Sequence, residues 1–132
     1  QAQYQKMAAR AREEFPKEGC GLVAGQENDG VIKVTEVFNL TNVDDSKEHF
    51  SLNPEEQFEV VKEVRNQGDQ LIGNYHSHPF TPARPSEEDK RLAYDESLVY
   101  FILSLQGEEP KLKAFEIKDR AEVTELTLEI VS

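Results

Sequence analysis

The chain reads as one α/β domain, a mixed sheet covered by helices. Apolar residues recur at helical spacing in several segments, and short apolar or alternating runs bounded by turn residues lie between them. No linker, internal repeat or low-complexity tract divides the order. Gln3 to Phe15 set Tyr4, Met7, Ala8, Ala11 and Phe15 three and four apart, the stripe of an amphipathic helix that Pro16 stops. Cys20 to Gly25 is short, apolar and Gly-bounded, as a buried strand is. Asn28-Asp29-Gly30 marks a turn, and Val31 to Phe38 alternates as a strand. A polar loop from Asn39 to Ser46 and a short strand from Glu48 to Leu52 follow.

Asn53 caps the next helix, with Pro54 at its first position and Glu at its third, and Phe58, Val61 and Val64 form its apolar face. Gln67-Gly68 ends it, and Gln70 to Tyr75 reads as a central strand. Three prolines between Pro79 and Pro85 require a loop. Ser86 starts a helix reaching Tyr94 or Asp95. Leu98 to Leu105, Lys111 to Lys118 and Glu122 to Val131 are three strands, the first apolar and the others alternating, with Gly107 to Pro110 turning between the first two.

The 132 residues suffice for one domain, 1–132, to bury a core. Hydrophobic residues make up 37% and charged residues 31%, which suits a thin core under a wet surface. With 26 acidic against 15 basic residues the net charge is −11, which repels phosphate backbones and argues against nonspecific nucleic-acid binding. The single cysteine, Cys20, cannot close an internal disulfide and is consistent with a reducing cytoplasm. No apolar run approaches the roughly 20 residues of a membrane span, and no basic-plus-apolar leader is seen. A cytoplasmic protein with no membrane partner is expected.

The chemistry concentrates in His76-Ser77-His78-Pro79 and Ser86-Glu87-Glu88-Asp89. Two imidazoles one residue apart at a strand end share one side, and a turn plus a helix start can return the Asp89 carboxylate to them. Two neutral histidines and a carboxylate are the ligand set of an open catalytic zinc site, with water in the fourth position. A lone His-x-His is weak evidence; the whole spaced set is far more specific. Ser-x-x-Asp also reads as a helix capping box, and the two roles are compatible because a capped first turn would steady Asp89. Glu18 is one of 26 acidic residues, but it sits where a helix gives way to a buried strand and is a candidate base for such a water. Cys20 fits a core-filling role better than a nucleophilic one. His49 lacks a spaced partner, and Asp44-Asp45 and Glu108-Glu109 read as solvated turns.

Glu18, then HSHP, six residues, then SEED resembles the JAMM (MPN-type) metalloprotease family, and the lead-in PKEGCGLVAG resembles its compact prokaryotic branch. The resemblance implies a cytidine-deaminase-like fold, a curved mixed β-sheet flanked by helices. It implies one Zn2+ ion on His76, His78 and Asp89, Glu18 as general base, and Ser86 holding the water and the developing oxyanion. It implies cleavage of peptide or isopeptide bonds, with a ubiquitin-like or sulfur-carrier protein as substrate. The alternative is a noncatalytic MPN-like interaction module, although such modules usually lack a ligand. A deaminase would need H-x-E with P-C-x-x-C, which one cysteine cannot supply, and a DNA-associated relative is disfavoured by the charge. Many members begin with a strand before the first helix, expected here only in part, at Gln1 to Gln3.

Overall fold

The computed structural model describes residues 2–28, 30–40, 54–91, 93 and 95–128. The expected 41–46 loop, the Glu48–Leu52 strand, the Asn53 cap, His49, Asp44-Asp45, Asp29 and Tyr94 lie outside the described residues. The elements are α1 (Ala2–Glu14), β1 (Cys20–Asn28), β2 (Val31–Leu40), α2 (Pro54–Asn66), β3 (Gln70–His78), α3 (Glu87–Arg91), β4 (Val99–Ser104), β5 (Lys111–Lys118) and β6 (Glu122–Leu126). The strands form one six-stranded sheet in the order β2-β1-β3-β4-β5-β6. Every neighbouring pair is antiparallel except β3 and β4, which run parallel. The sheet is therefore mixed, as expected.

Paired residues on adjacent strands share a face, and successive residues alternate between faces. On one face α1 lays Met7 against Val23, Val37, Tyr75 and Phe101, and Ala8 and Ala11 against Leu103. On the other face α2 covers Leu22, Ala24 and Leu40 with Val60 and Val64. The remainder of that second face is covered by the segment after β3, through Ala83 on Ile102 and Phe115 and Ala93 on Tyr100 and Ile117. Gly73 permits the parallel junction: a Cβ there would lie 1.8 Å from the Val99 carbonyl oxygen, so a larger residue would force β3 and β4 apart.

Several boundaries and faces differ from expectation. β3 continues through His78 because its last residues pair with Ile102, Leu103 and Ser104 of β4. β2 runs to Leu40, drawn on by pairing with Cys20 and Gly21. α3 stops at Arg91, and Ala93 is buried against Tyr100 and Ile117 instead of continuing the helix. β6 spans Glu122–Leu126 at the sheet's edge, and residues 129–131 of the expected strand lie outside the described residues. Phe15 follows α1 and is 48% exposed, resting edge-on against Phe80 with ring centres 5.2 Å apart. Phe58 is 64% exposed under the Lys62 ammonium, and Val60 takes its place on the buried face of α2. Helical spacing alone leaves the facing direction open by about one residue, and the sheet chooses. Residues 2 and 3 belong to α1, not to a strand.

Candidate metal centre

The alternation of β3 puts His76 and His78 on the face opposite α1, next to Ile102 and Ser104 of β4. Both imidazoles are buried. The chain then leaves the sheet through Pro79 to Pro85 and returns at α3. Ser86 Oγ accepts a hydrogen bond from the Asp89 N–H at 3.0 Å, while the Asp89 carboxylate accepts one from the Ser86 N–H at 2.9 Å. That reciprocal pair is the capping box expected from Ser-x-x-Asp. It also aims Asp89 Oδ2 at the histidines, so cap and candidate ligand coexist.

Three donor atoms converge. His76 Nε2 and His78 Nε2 are 3.1 Å apart, and Asp89 Oδ2 lies 3.2 Å from the first and 3.0 Å from the second. Ligands about 2.0–2.1 Å from a tetrahedral ion stand roughly 3.3 Å from one another. The observed triangle is close to one face of that polyhedron. His76, His78 and Asp89 are thus positioned to hold a metal ion.

The hydrogen bonding is compatible with a cation there. His78 Nδ1 lies 2.9 Å from the Pro82 carbonyl oxygen, which can only accept, so Nδ1 carries the proton. In a neutral His78 the lone pair of Nε2 then faces a carboxylate oxygen that is also acceptor-only. A metal ion between them would satisfy all three electron-pair donors at once. Burial alone would raise the Asp89 pKa. The neighbouring His76 and the hydrogen bond from the Ser86 N–H outweigh it and hold the carboxyl well below the usual range. Asp89 is therefore an ionised, ligand-ready group.

Glu18 is 1% exposed, one residue before a clamp between the chain's two halves. The Ser77 N–H donates to the Gly19 carbonyl at 2.9 Å, and the Gly19 N–H donates to Ser77 Oγ at 2.7 Å. Cys20 pairs with His76, so the same register carries Glu18 toward His78 on the metal face. Gly19 agrees, since a Cβ there would point at Ala11 of α1, on the opposite side. Cys20 is fully buried, and burial pushes its thiol up to about 12, which suits a core residue and not a nucleophile.

The motif did not disclose Ser77 as a clamp, Pro82 as the partner of His78, or Ser104 beside it. Backbone partners leave no mark in residue identity. Ser104 did leave one, as the polar residue closing the otherwise apolar run Phe101-Ile102-Leu103.

The chain matches the family model described as prokaryotic homologs of the JAB domain over residues 1–118. It is 32% identical to the CysO-cysteine peptidase of Mycobacterium tuberculosis over 126 residues, covering 95% of this chain and 84% of that one. It is 33% identical to the desampylase of Haloferax volcanii, covering 70% of this chain and 66% of the other. Among solved structures, that of protein DSY2949 from Desulfitobacterium hafniense is similar with a TM-score of 0.87 at 47% identity, covering 96% of this chain and 86% of that one. Sheet and sequence agree, and the chain belongs to the prokaryotic JAB-domain (JAMM/MPN) family.

Proposed function

We propose that residues 1–132 form a zinc-dependent peptidase that hydrolyses a peptide or isopeptide bond at the C-terminal Gly-Gly tail of a ubiquitin-like or sulfur-carrier protein, in the cytoplasm. The observation that carries this reading is the convergence of His76 Nε2, His78 Nε2 and Asp89 Oδ2 within 3.2 Å of one another. Support for the substrate class comes from the relatives, one named a CysO-cysteine peptidase and the other a desampylase. No helix among the described residues is long and apolar enough to cross a membrane.

A zinc ion held by His76, His78 and Asp89 would supply Lewis acidity and lower the pKa of a bound water to about 7. The chain's own residues do the rest. Glu18, buried on the same face, takes a proton from the attacking water and returns it to the departing amine, so no net proton is consumed. The Ser86 oxygen accepts from the Asp89 N–H, which leaves its own O–H to donate to the carbonyl oxygen as charge grows there. Pro79 to Pro85 stiffens one rim of the site.

The test is to offer purified protein a panel of ubiquitin-like and sulfur-carrier proteins with short C-terminal extensions, with and without a chelator, and to weigh the products. Cleavage after Gly-Gly that stops on chelation and returns with zinc is expected. Undiminished cleavage after chelation overturns the zinc reading. A zinc-loaded chain that binds such proteins and cleaves none is instead the noncatalytic interaction module.

A further inference from the structure

Ser104 is a buried polar residue at the end of an otherwise apolar strand. It lies directly beside His78 in the parallel register of β3 and β4. Its hydroxyl donates to the Thr81 carbonyl at 2.5 Å, and its oxygen accepts from the Gln106 N–H at 3.1 Å. The Gln106 side-chain amide donates to the Phe80 carbonyl at 3.3 Å, and the Leu105 N–H donates to the His78 carbonyl at 3.0 Å. Three of these four hydrogen bonds stitch the residues that end β4 to the backbone that leaves the site, and the fourth closes a turn on Ser104 itself. The next carbonyl along that backbone, on Pro82, is the one that accepts the proton of His78 Nδ1 at 2.9 Å.

We infer that Ser104, assisted by Gln106, is a positioning residue for the metal ligand His78. It pins Thr81 so that the Pro82 carbonyl is presented to Nδ1, which fixes the imidazole tautomer and keeps the Nε2 lone pair directed at the metal position. This rests on the zinc reading proposed above and adds a residue outside the HxHP and SxxD motifs. The physical need is plain. The 79–85 segment is irregular and has no ladder to hold its carbonyls in place, and a ligand whose second nitrogen is loosely held loses orientation. Outer partners of metal-bound histidines typically account for about 10–100-fold in affinity. Ser104 acts one bond further out, so the lower end applies.

The full chain is prepared as wild type, Ser104→Ala and Ser104→Thr, and zinc affinity is measured by chelator competition. The His78 Nδ1–H signal is followed by NMR in the metal-free protein. Ser104→Ala is expected to weaken zinc about tenfold and to lose the slowly exchanging Nδ1–H signal, and Ser104→Thr, which keeps the hydroxyl, is expected to restore both. Zinc affinity within twofold of wild type with the Nδ1–H signal intact in Ser104→Ala overturns the inference. Should Ser104→Ala fail to fold, Gln106→Ala decides: this exposed residue loses only the bond to the Phe80 carbonyl, a weakening of about threefold supports the inference, and unchanged affinity overturns it. These readouts need no substrate. A wild-type chain that binds zinc but cleaves nothing defeats the peptidase reading alone, whereas a Ser104→Ala chain that binds and cleaves like wild type defeats this inference alone.

Discussion

The two faces of the sheet are built from the same strands and do different work. Along β3, Tyr75 and Ser77 point to the α1 side, where Tyr75 packs with Met7, Val23 and Phe101 and Ser77 holds Gly19. His76 and His78, interleaved with them, point to the other side and meet Asp89. One side is core packed under α1; the other holds two buried imidazoles, the buried Glu18 and the partly buried Asp89. A period of two thus lets a single strand carry both fold and chemistry, each face backed by the other. Buried polar groups are expensive unless satisfied, so the polar face depends on the capping bonds of Ser86 and Asp89 and on the loop carbonyl of Pro82.

The contrast is sharpest at Glu18, the proposed base. Glu18→Gln keeps shape and burial while removing the ability to take a proton. We expect turnover to fall about 10²–10⁴-fold, with zinc affinity and melting temperature close to wild type. A variant that cleaves at the wild-type rate ends the assignment of Glu18. The mirror experiment on the α1 face is Leu103→Ala, which removes a fully buried side chain packed on Ala8 and Ala11. It should cost about 2–5 kcal/mol of stability, read by denaturant unfolding, while zinc affinity of the folded protein is unchanged. If Leu103→Ala weakens zinc as much as Ser104→Ala, the faces are not separable.

Cys20 is the smallest and most discriminating case, since it faces the site side yet has no chemistry to contribute. Burial raises its thiol from the ordinary 9.0 to about 12. A folded-state pKa above the unfolded one means the stabilisation is whole below pH 9 and is lost as pH rises toward 12, because only the unfolded chain ionises in that window. Wild type should therefore lose stability faster than Cys20→Ala between those limits, by at most about 1.4 kcal/mol per pH unit. Native thiol labelling at pH 8 should be much slower than in denaturant. Prompt labelling of the native thiol would return Cys20 to consideration as a reactive group.

Much of the molecule was legible in residue order because its signals are local. The alternation of Val31 to Phe38, the proline that opens α2, and the Ser-x-x-Asp start of α3 each describe a few neighbouring residues, and each produced its element. HxHP and SxxD were legible for the same reason, as side chains spaced along one strand end and one helical turn. Phe15 and Phe58 misled because helical spacing admits a face one residue wide of the true one, and only contact with the sheet selects Val60 over Phe58. The length of β3 was hidden because its last residues are strand only by virtue of β4 alongside.

Residue types and spacings therefore settle which groups this chain has for chemistry and which elements carry them. Folding settles whether they meet. Cys20 pairing with His76 brings Glu18 to the metal face, the capping bonds turn Asp89 inward, and Ser104 with Pro82 orients His78. The first and last of these join residues distant in the chain or use a backbone carbonyl that any residue could supply, whereas the capping bonds are local. Sequence order encodes local preference, whereas the placing of Glu18 opposite His78 is a property of register, and register is decided by the whole sheet.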